Sequence, residues 1–156
     1  LAAVDLSPVS EKVVAHAVAM ASAASGSVHV LSLFELPVVA PLYAGEVLPS
    51  YISPHEASLL MDDHRKAVEG LVGRIVPARD GLPGTGPVEV EVDVRSASPS
   101  DSVLRAISEL GSQLAVVGTS GHNAWQRMLL GSTANKVLDQ ATCPVLVVPH
   151  EDPRSL

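Results

Sequence analysis

The most informative stretch of this chain is Val116-Val117-Gly118-Thr119-Ser120-Gly121, followed after nine residues by Gly131-Ser132-Thr133. A glycine pair follows an apolar run that predicts a buried strand, and a third glycine stands with two hydroxyls where a helix should begin. Glycine lets backbone approach a ligand closely, and the first N–H groups of a helix lack partners within the helix. Such a junction suits a bound phosphate. A plain turn with a helix C-cap would also use glycine; the spacing favours a nucleotide site.

Apolar strand patterns and helical patterns alternate along the whole chain. The pattern predicts strands at residues 1–4, 28–34, 88–94, 114–117 and 145–148. Helices should begin at Ser7-Pro8, Ser53-Pro54 and Ser98-Pro99, where a serine precedes a proline of the first turn. The last helix should span residues 132–140. We therefore predict an α/β fold in a single domain over residues 1–156, with a doubly wound, five-stranded parallel sheet and helices on both faces.

The doubly wound order predicts where the site lies. It sets the first and fourth strands side by side, and ligands bind beyond the carboxyl ends of such strands. Asp5 ends the first strand and Gly118 ends the fourth, so both should reach one crevice. The Asp5 carboxylate would accept hydrogen bonds from ribose hydroxyls or adenine, or hold a divalent cation. A purely structural role, capping or bracing the first helix, stays open.

Composition excludes several other classes of function. A formal net charge of -7 without a basic cluster argues against a nucleic-acid or membrane-surface partner. The single cysteine cannot form an internal disulfide, which predicts a reducing, cytoplasmic location. No apolar run approaches the ~20 residues that span a bilayer. The six histidines lack metal-binding spacing, so we predict no structural metal.

The motif also lacks the parts of a fast enzyme. It contains no Gly-Lys-Ser/Thr sequence, so it is not a Walker A loop. No serine can be paired with a histidine or aspartate by spacing, and we predict no catalytic residue. Arg127, between the glycines, could reach a phosphate, although a solvated surface arginine is the commoner outcome.

The glycine spacing resembles the ATP-binding signature of the universal stress protein family, and the resemblance extends over nearly the whole chain. The segments Ala2 to Ser7, Arg127 to Ser132 and Cys143 to Val148 resemble the family's first strand, its entry to the last helix and its closing strand. Two positions depart from the pattern: Ala97-Ser98-Pro99 replaces a frequent Gly-x-Pro, and Gln113 stands where aspartate is common. Neither departure touches the phosphate motif.

This resemblance implies an adenine nucleotide alpha hydrolase-like fold that binds ATP, to which Mg2+ can be attached. By alignment with the family, Leu33 and Val117 would flank the adenine, although both could be simple core residues. The residues expected to bind the nucleotide are Val4, Asp5, Leu33, Val117, Gly118, Gly121, Arg127, Gly131, Ser132 and Thr133.

The leading functional hypothesis is an ATP-binding regulatory or stress-response module. The rivals are an adenylating or slowly ATP-hydrolysing α/β enzyme and a nucleotide-free dimeric interaction domain. Residues 145–148 predict an edge strand that can pair with a second copy, and the resemblance also implies a homodimer through this strand. The segment from Leu36 to Ser53 carries three prolines, which predict no regular element. It could be a lid, a partner surface or a packed loop.

Overall fold

The computed structural model describes residues 1–34, 42–43, 46–47, 53–76, 86–95, 98–119 and 130–150. The helices are α1 (Ser10–Ala24), α2 (Pro54–Ile75), α3 (Pro99–Glu109) and α4 (Ser132–Gln140). The strands are β1 (Ala2–Val4), β2 (Val28–Leu33), β3 (Leu42–Tyr43), β4 (Glu46–Val47), β5 (Val90–Arg95), β6 (Ala115–Gly118) and β7 (Val145–Val148).

Five strands form one parallel sheet in the order β5-β2-β1-β6-β7. The strand order reverses between β1 and β6, which pair at Ala2 and Val116. This reversal is the topological switch point of a doubly wound sheet. The predicted fold is confirmed, with β5 and β7 at the two edges.

Helices cover both faces of the sheet. On one face, α1 and α2 pack on alternate strand residues that include Ala2, Val4, Val30 and Val116. On the other face, α3 and α4 pack on Leu31, Ala115 and Val117. Strands covered on both faces are apolar almost throughout, and the central runs of valine follow from that burial. None of the described helices combines the length and apolarity needed to cross a bilayer.

The start of α2 follows the predicted capping chemistry. The Ser53 Oγ accepts a hydrogen bond from the Glu56 N–H at 3.2 Å, and the Glu56 carboxylate accepts one from the Ser53 N–H at 2.9 Å. Pro54 occupies the first turn, where its missing N–H costs nothing. This reciprocal capping box fixes the point at which α2 leaves the loop.

The predicted start of α1 was wrong. The prediction took Ser7 as the N-cap and Pro8 as the first helical residue, but α1 begins at Ser10 with Val9 as its N-cap. The Ser7 N–H donates to the Asp5 carboxylate and the Ser7 carbonyl accepts from the Ser10 N–H, so residues 7–9 form a separate turn. The turn fastened by Asp5 moves the first helical residue from the predicted Pro8 to Ser10.

Two further predictions needed correction. The third strand of the sheet begins at Val90 instead of residue 88, because its partner β2 begins at Val28, which pairs with Val90. Within residues 36–53, β3 and β4 form a small antiparallel hairpin where no regular element was predicted. The prolines on which that prediction rested lie outside the paired residues. The other residues from 36 to 52 lie outside the described part of the chain.

Candidate functional site

The switch point brings together residues that are distant in the sequence. Asp5 directly follows β1, Gly118 ends the adjacent strand β6, and the pairing of Ala2 with Val116 sets the two strand ends level. In an open α/β sheet this is the crevice where ligands bind. The predicted adjacency of the first and fourth predicted strands, now β1 and β6, is confirmed by the strand order.

The Asp5 carboxylate has a structural role that uses only one of its oxygens. Oδ1 accepts hydrogen bonds from the Ser7 N–H at 3.0 Å and from the Ser10 Oγ at 3.1 Å. Within the described residues, no group donates to Oδ2. An ionised carboxylate offers about four acceptor positions, so the bracing of the turn leaves capacity for a ligand.

The turn after β1 is also strained. Leu6 has φ of 59°, in the left-handed region that side-chain-bearing residues rarely enter. The Ser7 Oγ is buried and has no hydrogen-bond partner among the described residues. Strain and an unsatisfied hydroxyl both cost stability, and such features gather at functional sites.

Gly118 has a packing role as well as a possible binding role. A Cβ built on Gly118 would lie 2.5 Å from the Cγ1 of Val9, a residue that is only 3% exposed. No real Cβ comes so close to another carbon, so the end of β6 needs glycine in order for the start of α1 to pack. The glycine spacing predicts only the approach of a ligand at Gly118, and this packing role adds a second reason for glycine there.

We predict that Gly118→Ala destabilises the fold by about 1–3 kcal/mol, the usual cost of overpacking a core. The Cβ must displace the Val9 side chain, which is buried on every side. Urea unfolding of the single variants and of Gly118→Ala/Val9→Ala measures the coupling. We expect the Val9→Ala background to remove most of the Gly118→Ala cost; strictly additive losses would contradict the packing role.

The N-terminus of α4 is held against the end of β6. Gly131 is the N-cap of α4, and its N–H donates to the Thr119 carbonyl at 2.6 Å. The first helical bond runs from the Asn135 N–H to the Gly131 carbonyl at 2.9 Å. The N–H groups of Ser132 and Thr133 therefore have no partner within the helix. The Gly131 N–H is engaged by Thr119, so the binding role predicted for Gly131 would come from its lack of a side chain.

Thr119 joins three elements, and the sequence analysis missed it. Besides accepting from Gly131, it donates its N–H to the Val148 carbonyl at 3.0 Å. Its Oγ1 accepts from the His150 N–H, also at 3.0 Å. Thr119 thus sets the distance between β6, α4 and the end of β7. The only signal in the sequence is a hydroxyl residue directly after a strand-ending glycine.

The remaining predicted residues divide between the two faces of the sheet. Leu33 and Val117 both lie on the α3/α4 face, as a shared adenine contact would require. Val4 packs on the opposite face, among the side chains of α1 and α2. Its side chain is core, so any contact of Val4 with a ligand would be through its backbone. Gly121 and Arg127 lie outside the described residues.

A polar pair lies under the ends of β1 and β2. The Ser32 Oγ donates to the Val4 carbonyl at 3.2 Å and contacts the His64 Nε2 at 2.8 Å. The His64 ring lies 4.9 Å from the Phe34 ring, and burial lowers the pKa of His64. His64 is therefore a satisfied, half-buried side chain of α2. No group of three metal-ligating side chains occurs in the described ranges.

The fold and the crevice together define a class of protein. The five-stranded parallel sheet, with a glycine-ended strand at the switch point and a helix N-terminus beside it, has the fold of solved universal stress proteins, the adenine nucleotide alpha hydrolase-like fold. The universal stress protein family model matches residues 1–149. The chain belongs to the universal stress protein family.

Individual relatives agree with this assignment. The chain is 33% identical over 150 residues to Universal stress protein A homolog 1 of Coxiella burnetii, covering 95% of this chain and 93% of that one. It is 28% identical over 148 residues to Universal stress protein YxiE of Bacillus subtilis, with 95% and 96% covered. The solved structure of UspA from Lactobacillus plantarum shares the fold with a TM-score of 0.66, at 20% identity and 94% coverage of both chains.

Other solved members of the family contain adenine nucleotides. A protein from Archaeoglobus fulgidus, in complex with dAMP, has a TM-score of 0.55 at 18% identity, with 93% of this chain and 92% of that one covered. One from Arabidopsis thaliana with AMP bound has a TM-score of 0.53 at 13% identity, with 99% and 93% covered. A third was solved in complex with cAMP; its TM-score is 0.60 at 18% identity, with 94% and 92% covered.

Proposed function

We propose that this protein binds ATP in the crevice at the switch point and acts as a regulatory or stress-response module by holding it. The observation that carries the proposal is the fastening of the α4 N-terminus to the end of β6, through the bond from the Gly131 N–H to the Thr119 carbonyl. This bond keeps the N–H groups of Ser132 and Thr133, which have no partner within the helix, beside the crevice that Asp5 borders.

The charges of the site residues indicate which part of the nucleotide each of them would bind. The first turn of α4 offers N–H groups, two hydroxyls and the positive end of the helix dipole to the phosphates. Asp5 would repel a phosphate, so its Oδ2, to which no described residue donates, is assigned to the ribose. Leu33 and Val117 are assigned to the adenine. The binding of adenine nucleotides by structural relatives supports this assignment, and the preference for ATP is our own extension.

The phosphate charge has few cationic partners among the described residues. Lys136 on α4 pairs with Asp101 of α3 at 2.7 Å, which ties that cation to another helix. We assign Arg127 to the outer phosphates, and Mg2+ bound to the nucleotide would supply the remaining positive charge. The proposed site thus depends mainly on backbone donors.

The direct experiment is mass spectrometry of nucleotide released from protein purified without added ligand, followed by calorimetry. We expect ATP to be released and to bind more tightly than AMP, since most of the proposed donors address phosphate groups. An absence of heat and of competition with labelled ATP at millimolar nucleotide would remove the proposal. Binding of AMP as tight as that of ATP would refute the assignment of the α4 donors.

We predict that turnover of ATP is very slow beside typical enzyme rates of ~1–1000 per second. The described crevice contains no lysine clamp on the outer phosphates and no assigned base or nucleophile. The rate of turnover is measured as phosphate release by the purified protein in the presence of ATP, with and without Mg2+. Hydrolysis at several per second that is lost in Asp5→Asn would favour the enzyme alternative instead.

The proposed molecule is a homodimer formed through β7 and located in the cytoplasm. The position of β7 at the edge of the described sheet supports the dimer, and the single cysteine supports a reducing compartment. A nucleotide-free interaction domain is the less favoured alternative, because the glycine motif is intact. No described feature adds a second substrate site, which an adenylating enzyme requires.

A further inference from the structure

One buried hydroxyl joins the backbone and the side chain of Asp5. The Ser10 Oγ accepts a hydrogen bond from the Asp5 N–H at 3.3 Å and donates one to the Asp5 Oδ1 at 3.1 Å. Ser10 is only 2% exposed, so water does not compete for these bonds. A hydroxyl that bridges two atoms of the same residue closes a small ring, and the ring holds the Asp5 side chain in a single rotamer.

This arrangement exceeds what bracing the helix requires. The Ser7 N–H already donates to the Asp5 Oδ1 at 3.0 Å, and the N-cap of α1 is Val9, which takes no side-chain bond. The turn also contains the left-handed Leu6, which costs stability. Both donors converge on Oδ1, and none of the described residues donates to Oδ2.

We infer that Ser10 is a positioning residue for the nucleotide: its hydroxyl turns the Asp5 carboxylate so that Oδ2 accepts a hydrogen bond from a ribose hydroxyl. The inference rests on the proposed ATP binding and adds to it the residue that sets recognition of the sugar. Without the Ser10 hydroxyl, Asp5 would stay in place but sample several rotamers. The protein would then lose much of its preference for the hydroxylated sugar.

Another buried serine of α1 provides a matched control. Ser22 is 8% exposed, and its Oγ donates to the Gly86 carbonyl at 3.2 Å and accepts from the Gly86 N–H at 3.1 Å. Ser22→Ala therefore removes a bridging hydroxyl of the same kind from the same helix. Because Gly86 lies in the segment that leads into β5, far along the chain from the crevice residues, the control reports on stability alone.

The test measures the affinities of the full chain for ATP, 2′-deoxy-ATP and 3′-deoxy-ATP by calorimetry, together with thermal unfolding. A hydrogen bond to a carboxylate predicts that wild type binds one of the deoxy analogues about tenfold more weakly than ATP. We expect this ratio to fall below about threefold in Ser10→Ala and in Asp5→Asn, and to stay at the wild-type value in Ser22→Ala. The double variant Ser10→Ala/Asp5→Asn should discriminate between ATP and the deoxy analogues as weakly as either single variant, and no more weakly.

Each other outcome counts against the inference. If Ser10→Ala weakens all three nucleotides equally, Ser10 only braces the turn. If wild type binds ATP but accepts both deoxy analogues equally well, the sugar assignment fails and the proposed ATP binding stands. If wild type binds no nucleotide, both proposals fail. Should Ser10→Ala not fold, Ser10→Cys serves in its place, because the thiol keeps the shape and is a weak donor.

Discussion

We expect Gly131→Val to abolish the proposed binding of ATP while the domain stays folded. The isopropyl group would stand at the entry to α4, where the phosphate oxygens must approach the N–H groups of Ser132 and Thr133. Losing two hydrogen bonds to a charged group predicts a loss of affinity of at least about 100-fold. Gly131 has φ of -60° and ψ of 156°, an extended conformation that valine adopts readily, so the backbone itself does not forbid the substitution.

Calorimetry with ATP and circular dichroism of the same samples check this result. Gly73→Val is a suitable control, because Gly73 is on α2 and a Cβ built there meets nothing within 4 Å. It carries the same side-chain change, yet it should bind ATP like wild type. We expect Gly121→Val to behave like Gly131→Val. Wild-type affinity in either variant would show that the glycine motif has been misinterpreted.

Val147→Pro should convert the proposed dimer to monomer. In β7 the Val148 carbonyl accepts from Thr119 and the Pro144 carbonyl from Ala115, so these residues bond inward to β6. Backbone direction alternates along a strand, and the N–H and C=O groups of Val145 and Val147 therefore point to the open edge. Proline at position 147 removes an outward donor and leaves the internal ladder intact.

Light scattering at tens of micromolar protein measures the assembly. Wild type should have twice the chain mass of 16.2 kDa, and Val147→Pro should approach that mass itself. Val147→Thr keeps both the branched shape and the N–H, so it should remain dimeric. A monomeric wild type would remove the dimer proposal without affecting that of ATP binding, because self-pairing about a two-fold axis uses a different surface.

Much of the fold could be predicted from local chemistry. Apolar runs of strand length alternate with helical periods, and each alternation is a pattern within one short segment. The capping box at Ser53, the proline at Pro99 and the hydroxyl at Ser132 marked three helix starts correctly. The doubly wound topology followed because right-handed crossovers leave few other ways to connect five parallel strands.

The failures and omissions share a physical cause. The start of α1 depends on the hydrogen bond from the Ser7 N–H to the Asp5 carboxylate. This bond places Ser7 in a turn before the helix, although the residue type of Ser7 favours a helix N-cap. The need for glycine at position 118 comes from Val9, a neighbour only in the folded chain. In each case a contact between separate elements overrides or adds to a local preference.

The alternation of elements and the topology could be predicted from periodicity, capping residues and the rules of strand connection, and glycine spacing pointed to the switch point. The way in which the candidate site is held became visible only in the folded chain. Thr119 holds the Gly131 N–H, and Ser10 closes a ring with Asp5. These hydrogen bonds depend on distances and directions that arise when β1, β6 and α4 meet at the switch point, and no pattern along the chain encodes them.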